Sequence, residues 1–233
     1  LEAANGLTVG VKDNDVFTDS KLFVMQMYRD TLFREAEDGG LAYWKGLIDN
    51  GTLDRAQVAE QFLNSVEFED MAGALARMYM GAFDRLPDNA GMTFWMKDMH
   101  EGMTVAEVAQ NFAGSAQFKD IYGALGNAEL AGELYQNILQ RQATQEEIGT
   151  WTGKLAAGAS HGELLLGVSN SAENIVRADD EVSMALAYAG MLGRAPDQEG
   201  FDYWMGRIEN GSTHVDILAE FIAVPEYHDR FLP

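Results

Sequence analysis

The sequence predicts an all-α protein in which four tandem three-helix repeats pack into one helical array. A Tyr-x₃-[Leu/Phe]-x-Arg motif occurs four times, at Tyr28/Leu32/Arg34, Tyr79/Phe83/Arg85, Tyr135/Leu139/Arg141 and Tyr188/Leu192/Arg194. Ten residues after each arginine stands one of the chain's four tryptophans, Trp44, Trp95, Trp151 and Trp204. The tryptophans are 51, 56 and 53 residues apart, and self-similarity at such a period is typical of repeat proteins. A repeat array more often offers a binding surface than a catalytic pocket.

Residues 1–20 differ from the rest of the chain. Leu7, Val9 and Val11 alternate with other residues, and a polar stretch at 12–15 ends the alternation. Because the side chains of a strand alternate between its faces, this pattern predicts a linker or short strand over residues 1–20. Repeats one and two are expected over residues 21–126, and repeats three and four over residues 127–233.

Each first helix carries the Tyr and Leu of the motif four residues apart, which places them on one helical face. The motif's arginine follows at the carboxyl end, where the helix dipole favours a cation. We therefore predict that the four arginines bond to helix-end carbonyls or to acids of the same repeat. The candidate partners beside the third-helix ends are Glu67, Glu173 and Glu226.

Each second helix carries the tryptophan, with apolar residues three positions before and four positions after it: Leu41/Ile48, Met92/Met99, Ile148/Leu155 and Phe201/Ile208. These spacings put the tryptophan on an apolar face, so all four tryptophans are predicted to be core residues. Asp88 and Asp197 stand at the N-cap position, which Thr144 takes in repeat three. Each helix is predicted to end at a left-handed glycine: Gly51, Gly102, Gly158 and Gly211.

The third helices of repeats two to four are predicted to begin with capping boxes, Thr104/Glu107, Ser160/Glu163 and Thr213/Asp216. Each third helix carries an apolar pair spaced four apart: Val58/Phe62, Val108/Phe112, Leu164/Val168 and Ile217/Phe221. Ser65, Ser115 and Ser171 follow these helices and are expected to cap the helix that leads into the next repeat. Repeat three departs most from the pattern. It lacks the aspartate cap and the glycine near the start of the second helix, although it keeps the glycine that ends this helix. It also has Asn174 where the other repeats have an aromatic residue.

The composition restricts the partners. The chain has 233 residues, with 37 acidic and 16 basic side chains and a formal net charge of −21. Nucleic acids and anionic membranes need clustered Lys and Arg, so neither is expected as a partner. No cysteine is present, which excludes disulfides and thiolate sites. No signal peptide or membrane-spanning run is found, and the first residue is Leu, so we expect a piece of a longer protein.

The motif residues resemble the DUF4214 repeat. The resemblance is carried by Leu192 to Trp204 with Gly211-Ser212, and by Phe83 to Trp95 with the segment Ser115 to Phe118. Repeat one also matches, with Glu37 in the aspartate position, and the likeness covers roughly 90% of the chain. It implies an all-helical, non-catalytic module of secreted or cell-surface bacterial proteins, including S-layer and RTX-type proteins exported by type I secretion. Phycobilisome linker domains are distantly similar in their helical pattern.

From this resemblance we expect a function in adhesion or anchoring, through a surface glycan, lipopolysaccharide or a protein partner, without membrane insertion. The alternative is a purely structural spacer or assembly linker. A further alternative is a polysaccharide-active enzyme. We do not favour an enzyme, because no Asp/Glu pair, His-x₃-His pair or nucleophile motif stands out in the chain. The arginines and tryptophans are interpreted as the structural signature of the repeat, although tryptophans also stack on sugars and arginines also bind carboxylates.

Three acidic clusters could bind a hard cation: Asp13/Asp15/Asp19, Glu35/Glu37/Asp38 and Asp179/Asp180/Glu181. The first is the favoured candidate metal site. Its spacing partly resembles a calcium loop, although Phe17 and Thr18 replace an oxygen ligand and the glycine that such a loop requires. The alternative is a solvated acidic surface. Ca²⁺ is therefore the one cofactor considered, and it would also let an acidic protein bind an anionic surface.

Overall fold

The computed structural model describes residues 18–230, which form helices with no strand among them. The predicted all-α fold class is therefore confirmed. The linker or strand expected over residues 1–20 lies outside the described residues except for its last three positions.

Each repeat contains the three predicted helices and a short fourth one. Repeat one consists of α1 (Ser20–Leu32), α2 (Asp38–Asp49), α3 (Arg55–Leu63) and α4 (Val66–Phe68). Repeat two begins with a π-helical turn (Glu69–Gly73) and continues with α5 (Ala74–Phe83), α6 (Asn89–His100), α7 (Val105–Gly114) and α8 (Ala116–Tyr122). Repeat three consists of α9 (Asn127–Leu139), α10 (Gln145–Ala156), α11 (His161–Ser169) and α12 (Ala172–Arg177). Repeat four consists of α13 (Asp179–Ala187), a second π-helical turn (Tyr188–Leu192), α14 (Gln198–Glu209), α15 (His214–Ala223) and α16 (Pro225–Asp229).

The predicted helix ends are present. The Asp88 carboxylate accepts a hydrogen bond from the Gly91 amide at 2.8 Å, and the three predicted capping boxes are complete. Ser115 caps α8 by accepting from the Phe118 amide at 3.1 Å. The glycines that end the second helices all have positive φ: 73° at Gly51, 111° at Gly102, 104° at Gly158 and 95° at Gly211. Local signals in the sequence therefore set the limits of the helices.

The repeats do not pack in the order of the chain. The third helix of repeat two packs on that of repeat three (α7 on α11), and the third helix of repeat one packs on that of repeat four (α3 on α15). The π-helical turn of repeat four also contacts α1. Repeats one and four therefore form one pair, repeats two and three form the other, and the first and last repeats meet.

The first helices of repeats two and four form the centre of the core. α5 and α13 contact each other, and every residue from Val182 to Met191 is buried. Apart from Ser183 and the Tyr188 hydroxyl, this segment is apolar on all sides, as expected for a helix enclosed by protein. By contrast, α2 and α14 contain no fully buried residue and form the outer layer. Among the described residues, no helix is long and apolar enough to cross a bilayer.

Candidate binding site

A repeated contact joins the arginine, tyrosine and tryptophan of each repeat. The guanidinium carbon of the motif arginine lies 4.7–5.3 Å from the centre of the tyrosine ring in all four repeats. The indole N–H of Trp204 donates to the Tyr188 hydroxyl at 3.0 Å, and that of Trp151 donates to Tyr135 at 3.3 Å. Trp44 and Trp95 lie beside Tyr28 and Tyr79. Burial raises the pKa of all four tyrosines more than the contact with the tryptophan lowers it, so their hydroxyls remain protonated at neutral pH.

The tryptophans are only partly buried, which corrects the prediction that they are core residues. They pack against the edge of the core while part of each indole ring remains at the surface. The physical reason is that the tryptophans lie on the second helices, two of which form the outer layer and contain no fully buried residue, so only part of each indole ring reaches the core.

The glycine four residues before three of the tryptophans makes room for the tyrosine hydroxyl. A Cβ at Gly200 would lie 2.6 Å from the Tyr188 hydroxyl oxygen, and a Cβ at Gly40 or Gly91 would overlap the corresponding hydroxyl. Repeat three has Glu147 at this position. The Glu147 carboxylate accepts from Arg141 Nη2 at 2.7 Å and from Nη1 at 3.0 Å.

In repeat three, two residues replace the single aspartate that begins the second helix in repeats two and four. In repeats two and four the second helix begins with an aspartate that caps the helix and lies 3.3 Å from Nη1 of the motif arginine. In repeat three Thr144 supplies the cap and Glu147 supplies the carboxylate. Hydrogen bonds from Arg141, and then from the Thr144 amide, lower the pKa of Glu147 to about 2.

The predicted arginine partners are confirmed in three repeats. Arg34 donates to Glu67, Arg141 to Glu173 and Arg194 to Glu226, each through both Nε and Nη2. These bidentate pairs join the end of the first helix to the short fourth helix of the same repeat. In repeat two Arg85 contacts Asp88 and the Leu86 carbonyl, and the fourth helix carries Gln117 where the others carry glutamate.

An exposed aromatic residue precedes the tryptophan in three repeats. Tyr43, Phe94 and Tyr203 are 55–60% exposed, and each ring meets the adjacent indole edge-on at 4.9–5.0 Å. Single exposed apolar residues are common on protein surfaces, but recurrence at one position of the repeat is not explained by chance exposure. These residues are not among the predicted site residues, although their position beside the tryptophans is visible in the sequence.

The candidate calcium site is only partly described. Asp13 and Asp15 lie outside the described residues. Asp19 is the N-cap of α1 and accepts from the Lys21 amide at 2.7 Å and the Leu22 amide at 3.1 Å. This cap accounts for Asp19 without a metal ion.

Elsewhere in residues 18–230, Asp179, Asp180 and His214 are close enough to hold an ion. His214 Nε2 lies 2.7 Å from an Asp180 oxygen. The contact between His214 and Asp180 joins the first residue of the third helix to the start of the first helix, and two other repeats have an equivalent contact. Arg55 donates to the Thr18 carbonyl, and His161 lies 3.4 Å from the Asn127 side chain. We therefore interpret this group as a repeat contact.

A cavity of about 700 Å³, called the central cavity below, lies where repeats two, three and four meet. Three of the chain's 16 basic residues line it: Arg77, Arg85 and Arg177. Four amide side chains and three carboxylates also line it: Asn137, Gln140, Asn174, Gln198, Asp84, Asp88 and Glu181. Arg85 belongs to the repeat signature and Arg77 lies in the first helix of the same repeat, whereas Arg177 of repeat three joins them only through the pairing of repeats.

The three arginines differ in how fully they are bonded. Arg77 is buried, and its Nη2 lies 2.7 Å from Glu69 Oε1 while its Nε donates to the Asn170 side chain. Arg177 pairs with Glu181 at 3.2 Å. The only ion pair of Arg85 among the described residues is the 3.3 Å contact of Nη1 with Asp88, and its side chain is 40% exposed. Arg85 is therefore the arginine of this cavity with most capacity for a ligand.

Comparison with known proteins supports the internal repeats. A family model described as "Domain of unknown function (DUF4214)" matches the chain four times, over residues 14–72, 75–120, 109–178 and 178–231. No curated protein and no solved structure matches the chain.

Proposed function

This chain belongs to the DUF4214 family, and from that premise we propose that it is a non-catalytic module that binds glycans for adhesion or anchoring. The secreted or cell-surface setting, including S-layer and RTX-type proteins, is part of this proposal and rests on the resemblance of the repeats to such proteins.

The observation that carries the proposal is the set of exposed aromatic residues beside the tryptophans. An aromatic face stacks well against the C–H face of a sugar ring, because both surfaces are apolar and flat. Tyr43, Phe94 and Tyr203 each project from the second helix of a repeat, next to an indole that is itself partly exposed. Three such positions in one chain would bind a polymeric glycan with avidity, even if each contact were weak.

The test is a glycan array screened with the wild-type protein and with a variant carrying Tyr43→Ser, Phe94→Ser and Tyr203→Ser. We expect the variant to lose most of the glycan signal while keeping its melting temperature within a few degrees. A matched control carries Val66→Ser and Val176→Ser, which remove apolar side chains that are 76% and 80% exposed but belong to the short fourth helices instead of the second helices. The control should bind as the wild type does.

The same screen with Ca²⁺ and with a chelator tests whether a cation bridges this acidic protein to an anionic glycan such as lipopolysaccharide. A wild-type protein that binds no glycan in either condition would favour the alternative function, a purely structural spacer or assembly linker.

A further inference from the structure

In three repeats the motif arginine binds a carboxylate of its own repeat. In three repeats Nε and Nη2 of the arginine form a fork that holds a carboxylate. The Nε and Nη2 distances are 2.5 and 2.7 Å for Arg34, 2.6 and 2.7 Å for Arg141, and 2.5 and 3.0 Å for Arg194. Planar bidentate pairs of this kind are among the stronger polar contacts in proteins, and they are specific for carboxylate or phosphate geometry.

Repeat two has the same arginine without the carboxylate. The serine that caps the fourth helix is followed two positions later by Glu67 in repeat one, by Glu173 in repeat three and by Gln117 in repeat two. Within residues 18–230, Arg85 donates only through Nη1, to Asp88 and to the Leu86 carbonyl. A neutral amide cannot replace the charge of the missing glutamate, so the Arg85 fork keeps its preference for a carboxylate.

Arg85 is also the motif arginine that lines the central cavity. Beside it, Asn137, Gln140 and Gln198 provide amide donors and acceptors suited to sugar hydroxyls. A volume of about 700 Å³ is within the range of small-molecule sites. The carboxylates of Asp88 and Glu181 also line the cavity, but Asp88 contacts Arg85 only through Nη1 and Glu181 pairs with Arg177. Nε and Nη2 of Arg85 therefore remain as cationic donors for one acid group, beside neutral groups for several hydroxyls.

We propose that Arg85 binds the carboxylate of an acidic sugar through Nε and Nη2, with the sugar ring in the central cavity. This inference rests on the proposed glycan-binding function and names the sugar class. The net charge of −21 opposes an anionic ligand at long range. At physiological salt, charges more than roughly 8–10 Å away are largely screened. Three guanidinium groups and the carboxylates of Asp84, Asp88 and Glu181 line the cavity, so its local charge is close to balanced and the bidentate geometry of Arg85 decides the binding.

The test is calorimetric titration with galacturonate and with galactose, which share a ring and differ in the carboxylate. We expect galacturonate to bind at least about tenfold more tightly, the gain typical of one charge-assisted bidentate contact. Gln117→Glu restores the internal carboxylate of the other repeats and should weaken galacturonate binding by about tenfold or more. Gln117→Ala removes the amide without adding a charge and should bind as the wild type does.

Glu67→Gln frees the fork of Arg34, which does not line the cavity, and should create no additional galacturonate site. Equal binding of galacturonate and galactose, or an unchanged affinity in a folded Gln117→Glu protein, would overturn the proposal. So would an acidic peptide that binds the fork more tightly than galacturonate. Because this experiment uses monosaccharides and leaves the exposed aromatic residues intact, its failure is distinct from a failure of the glycan array.

Discussion

The two pairs of repeats are built on one plan but differ in how they treat a polar group at their interface. In each pair, third helix packs on third helix. In each pair the position two residues after the motif tyrosine is glycine on one side and polar on the other. Gly190 faces Asp30 between repeats four and one, and Gly81 lies beside Ile138, next to Asn137, between repeats two and three. The carbonyl of each glycine also accepts a hydrogen bond, from Arg230 at Gly190 and from Tyr122 at Gly81.

The ionisable group is buried and the neutral group is exposed, the reverse of what solvation alone would favour. Asp30 is 3% exposed and accepts from Tyr227 Oη and from Gln26 Nε2, each at 2.7 Å. Arg230 lies 3.4 Å from it. Asn137 is exposed and faces the central cavity. Burial raises the pKa of Asp30 to about 6 against the opposing effects of Arg230, Tyr227 and Gln26. The same interface geometry therefore accommodates two kinds of contact. Between repeats one and four it buries a titratable carboxyl, and between repeats two and three it places a neutral amide at a cavity.

The largest expected effect comes from adding one methyl group to each interface glycine. A Cβ at Gly190 would overlap the backbone carbonyl of Asp30, which cannot move without shifting α1. A Cβ at Gly81 would meet Ile138 Cδ1 at 2.6 Å, the end of a flexible side chain. We expect Gly190→Ala to destabilise the protein by about 3 kcal/mol or more and Gly81→Ala by about 1–2 kcal/mol, as for overpacked cores. Urea unfolding of both variants measures the difference, and equal effects would contradict the two geometries.

The next effect is a pH dependence confined to one interface. A carboxyl whose pKa is raised on folding binds a proton more readily in the folded chain, so its contribution to stability falls as pH rises. With an ordinary value of 3.8 and a folded value of about 6, the fall covers roughly pH 4 to 6 and is on the order of 2–3 kcal/mol. We expect the stability difference between the wild type and Asp30→Asn to change by this amount over that interval. In urea titrations at several pH values, Asn137→Asp should show no comparable change because its carboxyl is exposed.

Removal of one hydroxyl from each interface should give a smaller difference. Tyr227→Phe deprives Asp30 of its 2.7 Å donor, at a cost of about 1–3 kcal/mol for a bond to a charged group. The cost should be larger above pH 6, where Asp30 is ionised, than below pH 4. Tyr122→Phe removes the 3.2 Å bond to the Gly81 carbonyl and should cost about 1 kcal/mol at every pH. A pH-independent loss in Tyr227→Phe would contradict the assignment of Asp30 as the titrating group.

The smallest effect concerns the residue that ends the first helix in one repeat of each pair. This residue has positive φ in both, 72° at Gly193 and 54° at Gln140. A residue with a Cβ is strained in this conformation, so Gln140→Gly should stabilise the protein by up to about 1 kcal/mol. Gly193→Gln should destabilise it by a similar amount. Melting temperatures of the two variants should move in opposite directions, and a common direction would rule out backbone strain as the cause.

The repeat and its internal contacts could be predicted because their signals are local. Caps, left-handed glycines and the arginine–glutamate pairs all connect residues within one repeat, at spacings that recur along the chain. The pairing of repeats one and four could not be predicted in this way. The apolar faces at Val58/Phe62 and Ile217/Phe221 resemble those of the other third helices, so local pattern does not identify the partner.

The candidate site likewise depends partly on local sequence and partly on how the repeats pack. The change from glutamate to Gln117 is visible when the repeats are aligned, but its importance depends on the cavity beside Arg85. That cavity exists because repeats two, three and four meet there. The partial exposure of the tryptophans was also not predicted, because apolar spacing does not reveal how deeply a second helix is buried once the repeats pack together.

The contact between the first and last repeats has a mechanical consequence. A tension applied between α1 and α16 would act directly on the contacts of Asp30 with Tyr227 and Arg230. The pairing of repeats two and three lies farther along the chain from both points of attachment and would carry load only after that contact parted. A module of this construction would yield by opening at its ends, which lengthens the molecule while its central pair stays folded.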